Sequence, residues 1–182
     1  STKALITRRN IVVVCVLILT MLGFVTVKQT AKWKDSITLL TAIIKDHPDS
    51  PLGYVRLGHS YLNMHNYQDA ERSYLEAIRV AKTVKSPQLS EALYRLGFMY
   101  LLHQKMEEAQ NVISEFEAVS KKDYRVQTLK GYYSYLTDNF PQAITFYQDV
   151  LTSGQISAKY DQAQIITLAG DAYREMGDFQ KA

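Results

Sequence analysis

Four histidines, two close pairs of glutamates and one cysteine are the side chains here that could do acid/base, metal or nucleophilic chemistry. Such chemistry needs fixed offsets: two histidines one helical turn apart with a glutamate, Cys/His pairs around zinc, or a nucleophile beside a positioned base. His47, His59, His65 and His103 fit none of these patterns, and the chain has no G-x-S-x-G, no phosphate-binding loop and no G-x-G-x-x-G. The sequence therefore predicts no catalytic residue, no cofactor site and no metal site. His65 and His103 read as polar residues closing helices at turns. Glu107-Glu108 and the Glu115/Glu117 pair read as solvated helix surface rather than an acid and its base. Cys15 lies inside an apolar run, so the chain can form no internal disulfide, and thiols do not report its compartment. What remains for function is a surface.

The elements that would present this surface show themselves as a repeat. Four pairs of small residues, each separated by twelve positions, run down the chain: Gly58 and Ala70, Gly97 and Ala109, Gly131 and Ala143, Gly170 and Ala182. The steps between the glycines are 39, 34 and 39 residues. A fixed offset recurring within helical apolar patterns predicts two helices that cross closely, copied along a solenoid. Within the first copy, Val55, Leu57, Tyr61 and Leu62 have helical spacing, as do Ala70, Tyr74, Ala77, Ile78 and Ala81. Glycine inside a helix costs about 1 kcal/mol against alanine, so its recurrence needs a packing reason. The reading is that Gly58 lets the second helix approach, with Ala70 as its neighbour across the crossing. Short turns at His65-Asn66-Tyr67, Gln104-Lys105 and Asp138-Asn139 suit antiparallel partners, and Pro141 fits the first turn of a helix. Ser86-Pro87 and Ser157-Ala158 read as further helix starts, placed where the longer steps carry their five extra residues.

Tyr54, Leu57, Gly58 and Tyr61, then Leu93, Leu96, Gly97 and Tyr100, then Ile166, Ala169, Gly170 and Tyr173, each with its later alanine, resemble the tetratricopeptide (TPR) repeat. Its core has the order W-x2-L-G-x2-Y. The third copy is looser, with Gln127 and Lys130 before Gly131 and Ser134 in the tyrosine's place. The resemblance implies an all-α superhelical solenoid of antiparallel helix pairs, a scaffold for protein–protein interaction. Units fall at about 51–84, 90–123, 124–157 and 163–182. It also implies that first helices line a concave groove, which places Val55, His59, Leu62 and Asn63, then Tyr94, Phe98, Leu101 and Leu102, then Tyr132, Tyr135 and Leu136, then Thr167, Asp171 and Arg174 along it. His59, Tyr94, Phe98, Leu101, Tyr132 and Tyr135 are the candidate contacts for a protein or extended peptide, because flat rings give large contact area at small entropic cost. Tyr61, Tyr74, Tyr100 and Tyr173 read as core. The carboxylate clamp of some TPR proteins needs Lys and Asn where this chain has Val55 and His59, so that clamp is not expected.

The chain opens differently. Ile11 to Val27 is uncharged over seventeen residues, which at about 1.5 Å per residue reaches the short end of a membrane span. Arg8 and Arg9 precede it, and Lys28, Lys32 and Lys34 follow. The run is longer than a signal-peptide core and no A-x-A-like site follows, so a single transmembrane helix at 11–30 is expected, behind a juxtamembrane segment at 1–10. Positions 34–50 read as a half-repeat helix, Ile37 to Lys45, capped by Asp35 and ended by Pro48. Trp33 suits a membrane interface. The chain starts with Ser and ends where a second helix should begin, so a longer natural protein is expected.

A span followed by Trp33, Lys34, Asp35 and Ser36, an amphipathic helix and His47-Pro48-Asp49-Ser50 also looks like the junction in multi-spanning membrane glycosyltransferases that end in TPR repeats. That second resemblance implies an acceptor-binding tail outside the cytosol, with catalysis in loops this chain lacks. Charges across the span are three against three, so the positive-inside rule is silent. Arg8-Arg9 abuts the span without an acid nearby, whereas Asp35 sits beside the downstream lysines, and the reading is an extracytoplasmic repeat region (periplasm or lumen). After residue 27 acids and bases are equal, and Lys121-Lys122 is a lone basic pair. Nucleic acid, which needs a basic face, is not expected as a partner.

Overall fold

The computed structural model of the chain describes Leu17, Ile18, Thr20, Met21, 36–156 and 159–177, with backbone alone at 159–161. The chain divides into two compact units, 1–48 and 49–182. In the first, Leu17, Ile18, Thr20 and Met21 are helical and exposed, and the Thr20 hydroxyl donates to the Leu17 carbonyl at 2.9 Å. The rest of the expected span at 11–30, like Asp35, lies outside the described residues. Among the described residues no helix is long and apolar enough to cross a membrane. Helix α1, Ser36–Asp46, covers the helix expected from Ile37 to Lys45 with one residue more at each end, buries Leu40, and runs out before Pro48.

The described residues of the second unit form seven helices: α2 (Pro51–Asn63), α3 (Tyr67–Thr83), α4 (Gln88–Leu102), α5 (Met106–Ser120), α6 (Tyr124–Leu136), α7 (Phe140–Thr152) and α8 (Lys159–Glu175). The pairs are α2/α3, α4/α5 and α6/α7, and α8 packs against α7 and α6. First helices also approach one another, α2 with α4, α4 with α6 and α6 with α8, while no such approach joins α3 to α5 or α5 to α7 among the described residues. The first helices therefore form the tighter side of the stack. Pro51 and Pro141 sit in first turns, where no N–H is missed. The five extra residues of the first 39-residue step lengthen α3 and α4 and the link between them rather than breaking the stack.

Each first helix ends in the same kind of turn. His65, Gln104, Asp138 and Gly177 have φ of 58°, 54°, 57° and 78°, each seven residues after a repeat glycine. The residue after each of the first three donates its N–H to a carbonyl five back: Asn66 to Tyr61 at 2.9 Å, Lys105 to Tyr100 at 2.9 Å, and Asn139 to Ser134 at 2.8 Å. This is the Schellman ending, which favours glycine because a left-handed L-residue costs about 1–2 kcal/mol. Asn66 and Asn139 then cap the next helices through their side-chain oxygens, which Lys105 cannot do. Gln104→Gly is accordingly expected to stabilise the chain by about 0.5–1 kcal/mol. A thermal melt checks this, and a lower midpoint would show that the Gln104 side chain itself holds the turn.

The glycines have a different neighbour from the one expected. Ala70, Ala109 and Ala143 are fully buried, but the space left by Gly58 is filled by the ring of Tyr74, whose Cε1 would stand 2.7 Å from an added Cβ. Gly131 accommodates Tyr147 in the same way at 2.5 Å. The second copy has Ile113 at the matching position, and there Gly97 faces Leu129 of α6 and Val112 instead. The glycine thus admits an aromatic ring one turn beyond the alanine. Ala182, the expected partner of Gly170, lies outside the described residues. Burial raises the Tyr74 phenol to about 12 and pushes Tyr147 up further. Neither hydroxyl has a hydrogen-bond partner among the described residues.

Candidate functional site

The face of the first helices carries a continuous row of rings. Tyr94 and Phe98 lie one turn apart on α4, and Tyr132 and Tyr135 lie three residues apart on α6, so each pair shares a helix face. Centroid distances along the row are 6.0 Å from Tyr94 to Phe98, 5.7 Å to Tyr132 and 6.3 Å to Tyr135, with planes tilted by 30° or less. Phe140, at the start of α7, closes it edge-on to Tyr135 at 5.7 Å. All five rings are half-buried: the packed side fixes them and the other side meets solvent. Burial raises the phenols of Tyr132 and Tyr135, so both stay neutral hydroxyls at physiological pH.

An ion-pair network pins the Tyr94 end. Arg125 donates Nε and Nη2 to the two carboxylate oxygens of Asp123 at 3.0 and 2.7 Å, and Nη1 to Glu91 at 2.6 Å. Glu91 also accepts from Arg95 Nε at 2.7 Å. Both guanidiniums lie within about 6 Å of the Tyr94 ring centre, in reach of its negative face. The hydrogen bond to Asp123 holds the Arg125 guanidinium firmly protonated. A cavity of about 80 Å³ opens here between Glu91, Arg95, Arg125, Thr128 and Gln164.

Tyr94, Phe98, Tyr132 and Tyr135 are thus brought together. His59 is exposed on α2 and joins no ring contact among the described residues. Leu101 is a correction: it is fully buried in the core and cannot meet a ligand, while its neighbour Leu102 is 47% exposed. Val55 is likewise buried, at 5% exposure. Tyr74 and Tyr100 are core as expected, whereas Tyr61 and Tyr173 are only half-buried. Tyr100 donates its hydroxyl to Glu71 at 2.7 Å, and Lys105 reaches the other oxygen of that carboxylate at 3.0 Å, tying the first repeat to the second. Sequence reading missed Phe140, Glu91 and Arg125. Glu91 and Arg125 stand six residues before Gly97 and Gly131, and opposite charges at one register of consecutive copies were the available signal.

The family model of the tetratricopeptide repeat matches residues 55–110, from within α2 into α5. The fold is that of a TPR-type solenoid. Solved structures agree. A chain of the APC/C hetero-tetramer Cut9–Hcn1 superposes with a TM-score of 0.69 at 16% identity, covering 79% of this chain. This chain spans 27% of that one. A tetratricopeptide repeat protein from Parabacteroides merdae gives 0.62 at 18% identity over 88% of this chain and 58% of its own, and MamA gives 0.57 at 17% over 85% and 84%. These likenesses establish the fold. A search of curated proteins returns no match. TPR-type scaffolds generally mediate protein–protein interaction.

Proposed function

We propose that this TPR-type chain binds an extended segment of a partner protein along its first helices, with Phe98 and Tyr132 at the centre. One observation carries the reading: the unbroken row from Tyr94 to Tyr135, which joins two repeats and is held from behind by core, Tyr94, Phe98 and Tyr132 by one buried cluster and Tyr135 by the next. Rigid rings lose little entropy on contact, and half-exposed ones have apolar area left to bury. The chain itself performs no reaction in this reading, and nucleic acid is not its partner. Peptides selected from a random library on the wild-type chain are expected to bind about tenfold or more weakly to the Phe98→Leu/Tyr132→Leu variant. Leucine keeps the apolar fill, so far-UV circular dichroism should stay unchanged. Equal binding by a folded variant would move the interaction elsewhere.

We further propose that Ile11 to Val27 anchors the chain in a membrane and that the repeats lie outside the cytosol. The uncharged run, and Arg8-Arg9 directly before it, support this. A topology reporter fused after Ala182 decides it: alkaline phosphatase activity is the expected result, and fluorescence from a cytosol-only green fluorescent protein fusion would reverse the orientation. The tail of a membrane glycosyltransferase is a second reading, favoured by α1 and the turn at Pro48 standing between the apolar run and the first repeat. There the same groove would receive the acceptor protein. Eight or so further spans encoded upstream would support it.

A further inference from the structure

Charge along the aromatic row is uneven. At the Tyr94 end two guanidiniums, Arg95 and Arg125, meet two carboxylates, Glu91 and Asp123, and all four are engaged with one another at 2.6–3.0 Å. At the Tyr135 end Arg174 is taken up by Asp171 at 2.8 Å. Asp138 and Glu175 have no ion-pair partner among the described residues, and both are exposed. Asp138 sits in the left-handed turn three residues after Tyr135, its N–H bonded to the Tyr135 carbonyl at 3.1 Å. Burial raises the Tyr135 phenol, and the charges of Glu175, Asp171 and Asp138 add to that while Arg174 opposes them, so three carboxylates face one guanidinium there. Two rings, Tyr135 and Phe140, therefore share one end of the groove with two carboxylates that have no ion-pair partner among the described residues.

We infer that the partner segment carries a lysine or arginine that seats against Tyr135 beside Asp138 and Glu175, with its neighbouring apolar side chains over Tyr132 and Phe98. This rests on the groove reading and adds the chemistry of the occupant. A cation gains twice at this position, from the negative face of the ring and from the two carboxylates. A segment ending in a free carboxylate would meet the same two groups as repulsion. Among the described residues the groove cations Arg95, Arg125 and Arg174 each pair with a carboxylate of their own, which leaves Asp138 and Glu175 for the partner's cation.

The groove-dependent peptides recovered from the random library test this. They should be enriched in Lys and Arg over the unselected library. In the tightest of them, one Lys or Arg changed to Gln should weaken binding about tenfold, and the Asp138→Asn/Glu175→Gln variant should shrink that difference to about twofold or less. Asparagine tolerates the left-handed turn at 138, so the variant should keep the fold. No basic enrichment, or an undiminished Lys/Arg-to-Gln effect on the variant, overturns the inference and leaves the groove reading standing. If no recovered peptide depends on Phe98 and Tyr132, the groove reading fails and the inference with it.

Discussion

Alanine at Gly131 is expected to destabilise the solenoid by about 1–3 kcal/mol, even though alanine is the better helix former by about 1 kcal/mol. The new Cβ would stand 2.5 Å from Cε1 and 2.9 Å from Cδ1 of Tyr147, closer than any ordinary contact. Tyr147 is fully buried between α6, α7 and their neighbours, so its ring cannot swing into solvent and a helix must shift instead. Gly58 faces Tyr74 at 2.7 Å and should behave alike. Gly97 should be more tolerant, because its nearest neighbour at 2.9 Å is a terminal methyl of Leu129, which can turn aside. Urea unfolding of the three Gly→Ala variants checks the order. In a Tyr147→Leu background the Gly131→Ala cost should largely vanish, and the coupling measured by that cycle is the ring contact itself. A Gly131→Ala variant at least as stable as the parent would remove the ring-under-glycine account.

The second large effect is alkaline unfolding. The phenols of Tyr74, Tyr100 and Tyr147 are all raised, with burial as the first cause in each. Tyrosine ionises by losing a proton, so a raised folded-state value means that the unfolded chain loses its protons first as pH climbs. Stability is therefore complete below about pH 10 and falls as pH rises through the folded-state values. Tyr74, moved from 10.0 to about 12, accounts for on the order of 2–3 kcal/mol by itself. Unfolding free energy should thus fall steeply between about pH 10 and about pH 12. Tyr74→Phe/Tyr147→Phe should flatten that limb. Near neutral pH the same variant should gain about 1 kcal/mol, since each substitution deletes a buried hydroxyl that has no partner among the described residues. A parent chain whose urea midpoint does not move over that pH range would show that water reaches these phenols.

The contrast between what was legible and what was not follows the range of the interactions. Helix existence, the turns at His65, Gln104 and Asp138 and the pairing of helices were all legible, because the 3.6-residue period and the Gly-to-Ala offset are local and recur. The Tyr94/Phe98 and Tyr132/Tyr135 pairs were legible as helix faces for the same reason. Leu101 and Leu102 mark the limit. One residue is about 100° of rotation on a helix, and which of two adjacent leucines meets the core depends on where the next helix packs. That is why Leu101 was placed in the groove while it lies in the core.

The sequence by itself determined the repeat, its period and the helical faces, since each unit encodes its own apolar stripe and its own turn. Only the tertiary structure decided that a tyrosine one turn past the alanine fills the glycine's gap in the first and third copies, because the crossing of two helices sets that contact. It also decided that rings from α4 and α6 close into one row, that Phe140 of α7 ends it, and that Arg125 joins its neighbour Asp123 to Glu91, which lies thirty-four positions before Arg125. Those contacts depend on the distance and angle between consecutive repeats. No residue of either repeat specifies these alone; the packing of all the helices together fixes them.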